Sequence, residues 1–451
     1  MIFNDLFFIF LFLPLALILF NAFKKVSIQN VILILLSLIF YAWGNPLTLI
    51  VLLISITFNY FSALYFDGET EEKRKKIEFI FAIVFNLLIL IIYKYTPFGT
   101  QSDMIPMGLS FFTFSSISYL ADVYMGKAPV AKNWFDLTLF ISFFPKISMG
   151  PIAYYQDFYP QIRDHSLSSQ KLSGGTILFI KGLTKKVLLA DQLALLFANL
   201  AGNTSVLGSW IYALVYMFQI YFDFSGYSDM AIGLAGMFGF DIKKNFDHPY
   251  LAVNVQDFWR RWHISLSIWF RNYVYIPLGG NRVGKSKYIR NILIVWFLTG
   301  LWHGNNATFI VWGLYFAGFL LLEKFFLKER LDKLPRALGH IYSLFVIFIG
   351  WIFFFSPNLM DAFVNIGHLF GIGTTSLVNA DALFEITSSI PLLILSIFLS
   401  TNISNNLIVL FYNKAKNHAI PVMVGIYLLL FIVCIIFLVG STYQSYLYFA
   451  F

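Results

Sequence analysis

The chain has 451 residues, of which 59% are hydrophobic and only 12% are charged, and its formal net charge is +8. A soluble protein of this length needs more charged surface, whereas repeated apolar runs of about 18–22 residues suffice to cross a ~30 Å hydrocarbon core. The composition therefore predicts an all-α polytopic membrane protein and excludes a soluble one. The excess of lysine and arginine is typical of cytoplasmic loops, and no basic run is long enough to bind nucleic acid.

The first 25 residues are predicted to be a retained membrane span. They lack the basic start and the small-residue cleavage site of a signal peptide. Basic residues then recur in alternate loops, at 23–28, 67–76 and 125–133. By the positive-inside rule these loops are cytoplasmic, which predicts that the N-terminus lies outside.

The middle of the chain is apolar but interrupted by prolines and glycines, in residues 134–200 and 220–285. Such segments indicate re-entrant or interfacial helices, which membranes tolerate where protein or a water-filled cavity surrounds the backbone. Cleaner spans return near residues 291–302, 306–327, 339–355, 386–400 and 420–440. We expect roughly eleven transmembrane helices plus the interrupted pieces, in one domain covering residues 1–451.

Polar residues concentrate between Gln219 and Trp312, where they are costly unless they are buried in protein. The stretch FQIYFDFSGYSDMAIGLAGMFGF (218–240) places Asp223 and Asp229 among apolar residues. Its glycines favour close helix packing. These carboxylates fit either a hydrogen-bonded packing face or a functional site, and Asp223 is the stronger functional candidate.

The next stretch, NFDHPYLAVNVQDFWRRWHISLSIWFRNYVYIPLGGNR (245–282), is rich in arginine and tryptophan. A continuous helix from about Asp257 would align Arg260, His263, Ser267 and Arg271 along one stripe. The stripe fits an interfacial amphipathic helix. It also fits an arginine-lined entrance for a phosphate-bearing thioester. The interfacial interpretation accounts well for the arginines but less well for His263.

The third stretch, GLWHGNNATFIVWG (300–313), places His303 after an uncharged apolar run and before Asn305, Asn306 and another span. A lone buried histidine is often a hydrogen-bonded core residue. At membrane depth, however, burial disfavours the charged imidazolium. A neutral imidazole can take a proton from a hydroxyl, which is the task of a general base in acyl transfer. No histidine or carboxylate spacing predicts a metal site, and Cys434 is interpreted as a packing residue.

Together these three stretches resemble the membrane-bound O-acyltransferase (MBOAT) superfamily, in the branch of the bacterial alginate and peptidoglycan O-acetyltransferase membrane subunits. The resemblance implies a ring of tilted helices around a tunnel that joins the two membrane faces, with a catalytic core at about residues 218–327. It implies that His303 is the essential base and His263 a second required residue.

The matched motifs also imply residues that bind or support the substrate or donor: Asp223, Asp257, Arg260, Arg261, Trp262, Ser267, Arg271 and Asn305. The chain departs from the branch at two places. The Asn305–Asn306 pair replaces a small residue and an aromatic one, and Phe355 stands where arginine is common. Both departures leave the identity of the acceptor open.

The resemblance implies an O-acetyltransferase of the bacterial cytoplasmic membrane. Acetyl-CoA would be the donor substrate, and no cofactor would be bound permanently. The acceptor would be a hydroxyl of a cell-surface polysaccharide or peptidoglycan, or of a periplasmic or extracellular SGNH-type partner. Three alternatives stay open: D-alanyl transfer to teichoic acid, acyl-group transport without chemistry in this chain, which broken helices also suit, and a non-catalytic scaffold.

Overall fold

The computed structural model describes residues 1–97 and 105–440, and within these ranges the chain is helical, with a single isolated β-bridge between Ser205 and Ser376. The all-α prediction is confirmed for this part of the chain. The residues form two compact units, the first containing 1–182 and 227–244 and the second containing 183–226 and 245–440. The single domain and the tunnel stay predictions.

The first unit begins with long helices and continues with shorter ones. Its helices are α1 (Phe8–Asn21), α2 (Val26–Ala42), α3 (Thr48–Gly68), α4 (Glu72–Tyr95), α5 (Leu109–Tyr124), α6 (Trp134–Ser142), α7 (Phe144–Ile147) and α8 (Tyr155–Arg163). Two further helices, α9 (Ser169–Thr184) and α11 (Val206–Met237), contribute residues to both units. In the first unit a side chain at Gly233 would meet the Gly175 carbonyl oxygen at 2.6 Å. The predicted close packing at this glycine is therefore confirmed.

The second unit holds the polar stretches identified above. Its helices are α10 (Asp191–Leu200), α12 (Val255–Arg261), α13 (Ile264–Phe270), α14 (Lys285–His303), α15 (Ala307–Lys333), α16 (Arg336–Phe355), α17 (Leu359–Leu369), α18 (Ala380–Leu399), α19 (Ile403–Ala415) and α20 (Ala419–Gly440).

Within the described ranges, six helices are long and apolar enough to cross a membrane, namely α3, α4, α15, α16, α18 and α20, while α1 and α2 are shorter apolar helices. Many large apolar side chains on these helices are exposed, such as Phe81 and Phe384, as expected for surfaces that face lipid. The chain is thus a multi-pass membrane protein. The figure of about eleven spans stays a prediction.

A tight hairpin of α14 and α15 positions His303. A side chain added at Gly300 would run into the Phe309 carbonyl, and one added at Gly313 would run into the Trp296 carbonyl, so the two backbones are in direct contact. Asn306 caps the start of α15, since its side chain accepts a hydrogen bond from the Thr308 backbone N–H. The hairpin therefore holds the C-terminal end of α14, where His303 lies, in one geometry.

The continuous helix predicted from Asp257 is wrong. Helix α12 ends at Arg261, and His263 has a left-handed backbone with φ of 43° before α13 begins. Two asparagines fix this arrangement: Asn254 caps α12, and the Asn245 side chain accepts a hydrogen bond from the Ser265 backbone N–H at the start of α13. The residues predicted to form one stripe therefore lie on separate segments.

Candidate active site

His303 lies at the C-terminal end of α14 in an aromatic enclosure and is only 3% exposed. Its ring centroid is 4.6 Å from that of Trp302 and 5.0 Å from those of Trp312 and Phe354. Trp312 and Phe354 meet the imidazole nearly edge to face, at 85° and 78°. Aromatic walls of this kind limit the positions that the imidazole can take.

His263 lies in the turn between α12 and α13, outside the candidate spans, and is 2% exposed. Its Nδ1 is 3.2 Å from the Asn245 side-chain oxygen. Because a carbonyl oxygen can only accept, the proton is on Nδ1 and the Nε2 atom keeps its lone pair. Burial lowers the pKa of His263 to about 3, so this imidazole is neutral at physiological pH. Phe224 packs against it at 4.7 Å and 89°.

Asn245 is the residue that orients His263. Its side-chain oxygen also accepts hydrogen bonds from the Ser265 backbone N–H at 3.1 Å and the Ser265 hydroxyl at 2.9 Å. Its backbone carbonyl accepts from the Ile264 N–H at 2.9 Å. Asn245 thus holds both the ring and the unusual backbone of His263. The residue was not among the sequence-predicted site residues, although it opens the second polar stretch.

Trp302 connects the two predicted catalytic residues. Its ring centroid lies 6.1 Å from the His263 centroid and 4.6 Å from the His303 centroid. The two imidazoles are therefore no farther apart than the sum of these two distances. The structure brings together the two histidines that the sequence singled out 40 residues apart. Their catalytic roles stay predictions.

Asp223 lies in a buried ion cluster. The Lys186 Nζ is 2.7 Å from an oxygen of Asp223 and 2.7 Å from an oxygen of Asp191, and all three side chains are buried. Sequence reasoning missed Lys186 and Asp191, whose only signal was a charge inside an apolar run. The cluster anchors α11 one residue before Phe224, the ring that packs against His263.

Asp257 and Arg261 form an ion pair on α12. The Arg261 Nε is 2.9 Å from the Asp257 Oδ1, and both side chains are about one quarter exposed. Arg261 also donates to the Asp247 carbonyl at 3.3 Å. A partly exposed pair of this kind contributes little stability. These contacts hold the α12 segment and do not reach either histidine.

The other predicted residues range from buried to exposed. Trp262 is buried, with its ring 4.8 Å from that of Trp351. The Ser267 hydroxyl donates to the Trp259 carbonyl at 3.3 Å. The side chains of Arg260, Arg271 and Asn305 are exposed. These exposed residues remain candidates for binding a substrate, whereas Trp262 belongs to the aromatic packing.

No group of three histidine, cysteine or acidic side chains in residues 1–97 and 105–440 is arranged to hold a metal ion. The fold and site thus describe a multi-pass helical membrane protein with two buried histidines against one tryptophan. Residues 133–360 match the model of the MBOAT, membrane-bound O-acyltransferase family. The chain belongs to this family and is an O-acyltransferase of a bacterial membrane.

Curated relatives agree with this family over most of the chain. The chain is 36% identical over 397 residues to the probable alginate O-acetylase AlgI of Pseudomonas aeruginosa, a match that covers 84% of the chain and 76% of the relative. It is 35% identical over 430 residues to the peptidoglycan O-acetyltransferase of Helicobacter pylori, covering 84% and 81%. The teichoic acid D-alanyltransferase of Bacillus subtilis is 30% identical over 272 residues, covering 55% and 68%.

Proposed function

We propose that the protein transfers an acetyl group from a cytoplasmic thioester, acetyl-CoA, to a hydroxyl for O-acetylation of a cell-surface polysaccharide or peptidoglycan. The observation that carries the proposal is the pair of buried imidazoles against Trp302. The named activities of the relatives in Pseudomonas aeruginosa and Helicobacter pylori support acetyl as the group transferred. The D-alanyltransferase is less similar and matches only 55% of the chain.

The distribution of charge supports a direction for the reaction. Helix α14 begins with basic residues at 285–290 and ends at His303, and α15 returns to basic residues at 328–333. By the positive-inside rule we expect these basic ends in the cytoplasm and the N-terminus outside. In this arrangement the donor enters from the basic side, and the acceptor approaches the opposite end of the hairpin, where His303 lies. An extracellular SGNH-type partner would then receive or present the acceptor.

His303 acts as the general base in this proposal. A neutral imidazole takes the proton from the acceptor hydroxyl while that oxygen attacks the thioester carbonyl. The tetrahedral intermediate collapses, the carbon–sulfur bond breaks, and the thiolate leaves and takes up the proton from the imidazolium. The aromatic walls around His303 exclude water and so limit hydrolysis of the thioester.

His263 orients a substrate group. With its proton held on Nδ1 by Asn245, its Nε2 can accept a hydrogen bond but cannot donate one. It can therefore hold an N–H of the donor's amide-containing arm or the O–H of the acceptor. It cannot act as a donor to an oxyanion in this tautomer.

The proposal is tested by replacing His303 with glutamine and measuring ester-linked acetate on the surface polymers of the producing cell. We expect a loss of at least ~100-fold, since general base catalysis contributes about 10²–10⁴-fold. The matched control is His340→Gln, in the same unit, whose Nδ1 interacts with the Ala252 carbonyl at 3.1 Å. Both variants must reach the membrane at wild-type levels.

Two outcomes would refute the proposal. Wild-type acetylation by the His303→Gln variant would show that His303 is not the general base. Release of ester-linked D-alanine instead of acetate from the surface polymers would favour D-alanyl transfer. Acetyl-CoA is tested separately, by following transfer from the radiolabelled thioester in purified membranes.

A further inference from the structure

A small polar cavity lies in the second unit near the C-terminal end of α16. Its volume is about 60 Å³, and it lies between the turn that joins α10 to α11 and the ends of α16 and α17. Residues that line it include Asn203, Tyr212, Phe355, Asn365 and His368. Since a cavity needs about 10–15 Å³ to hold one water, this one has room for a small polar group or the edge of a ring.

Several polar groups in the cavity are available to a ligand. Asn365 donates its side-chain N–H to the Ser356 hydroxyl at 3.3 Å, which leaves its side-chain oxygen unused. Within the part of the chain that the structure describes, that oxygen, the Tyr212 hydroxyl and the His368 ring form no hydrogen bond with other residues. Convergent polar groups beside aromatic walls are typical of small-molecule sites.

In the part of the chain that the structure describes, the lining of the cavity also offers no carboxylate, ammonium or guanidinium group. The described residues that line it contain no aspartate, glutamate, lysine or arginine. Phe355 supplies an apolar wall, and its ring meets that of Tyr212 at 5.2 Å and 79°. Such a lining can hydrogen-bond hydroxyl and amide groups, but it offers no permanent cation to pair with a carboxylate.

The cavity and His303 contact neighbouring residues at the C-terminal end of α16. Phe354 packs against the His303 ring with the centroids 5.0 Å apart, and the next residue, Phe355, lines the cavity. The loops that follow are also joined, because the Asn306 side chain donates to the Pro357 carbonyl. A molecule held in the cavity would therefore lie beside the end of the hairpin that carries His303.

We propose that this cavity binds a neutral sugar unit of the acceptor, through the hydroxyl or amide groups at one edge of its ring. The inference rests on the proposed function, because it takes the acceptor to be a glycan. Phe355 and Tyr212 would pack against the apolar side of the sugar, while Asn365 and His368 would bind its polar groups. The site would hold a sugar next to the one that is acetylated.

The test measures binding of two oligosaccharides to the purified full-length protein in detergent, by isothermal titration calorimetry. The neutral probe is a tetramer of N-acetylglucosamine, and the acidic probe is an oligomannuronate of the same length. Asn365→Leu and His368→Phe should each raise the Kd for the neutral probe about tenfold, as expected for one lost hydrogen bond. The control is Asn406→Leu, the same substitution at an exposed position outside the cavity.

The outcomes separate this inference from the proposed function. Binding of the neutral probe that weakens in both cavity variants but not in the control supports the inference. No binding of the neutral probe, tighter binding of the acidic probe, or equal Kd values in all variants overturns it. Acetyl transfer that depends on His303 can persist in each of those cases, so the proposed function is judged by its own assay.

Discussion

Replacing Asn245 with leucine tests whether a single amide positions His263. The leucine side chain has a similar size but leaves three donors without the acceptor: the His263 ring N–H, the Ser265 backbone N–H and the Ser265 hydroxyl. A buried donor without a partner costs about 1–3 kcal/mol. The hydroxyl can rotate and the imidazole can change tautomer, whereas the backbone N–H is fixed. We therefore expect a loss of unfolding free energy of about 3 kcal/mol, at the lower end of the ~3–9 kcal/mol that three full penalties would give.

The same change should slow acyl transfer. Without Asn245 the His263 proton is free to move to Nε2, and the left-handed backbone at His263 loses its restraint. A small displacement of a substrate-positioning group can cost about 100-fold in rate. We expect a decrease of about 10–100-fold in transfer, measured with purified protein and labelled acetyl-CoA, with thermal unfolding followed in parallel.

Ser265→Ala is the matched control for this prediction. It removes one of the donors to the same oxygen and leaves the contact between Asn245 and His263 in place. It should cost about 1 kcal/mol of stability and little activity. The reasoning would be wrong if Asn245→Leu transferred acetyl at the wild-type rate, or if Ser265→Ala lowered the rate as much as Asn245→Leu.

Three further substitutions test the surroundings of the site. His263→Asn should keep more thermal stability than His263→Val, because asparagine tolerates the left-handed backbone, while both lose transfer. Lys186→Met should cost about 3–5 kcal/mol in denaturant unfolding by removing the cation that contacts both buried carboxylates, and leucine at both carboxylate positions should restore most of that loss. Gly300→Ala should lower the unfolding temperature and the transfer rate by forcing α14 and α15 apart, whereas Gly318→Ala on the same hairpin meets only open space. A Gly300→Ala variant as stable and active as Gly318→Ala would contradict the close packing.

The membrane class and several spans could be predicted because they depend on local composition. A run of apolar residues long enough to cross the bilayer has few other stable environments. The predicted spans at 306–327, 339–355, 386–400 and 420–440 each overlap a long apolar helix in the structure. His303 could be singled out for the same reason, since an imidazole directly after an uncharged apolar run has a restricted set of environments.

The helix break at His263 was not predictable from periodicity. The spacing of polar residues after Asp257 fits one continuous helix, and the pattern contains neither glycine nor proline at the break. The interruption comes from Asn245, 18 residues earlier, whose side chain binds the start of α13. A hydrogen bond between segments thus overrides the local helical pattern. For this reason the predicted stripe of Arg260, His263, Ser267 and Arg271 does not form.

Local pattern was therefore sufficient to predict a helical membrane protein and to single out His303 as a candidate, because the free-energy cost of a polar group in lipid depends on its own position in the chain. The partners of the two histidines depend on folding. Asn245 at His263, Trp302 between the two rings, and Lys186 beside Asp223 are contacts between segments far apart in the chain. A buried polar group needs a hydrogen-bond partner. Which residue supplies that partner, and in what geometry, depends on how the helices pack and cannot be predicted from spacing along the chain.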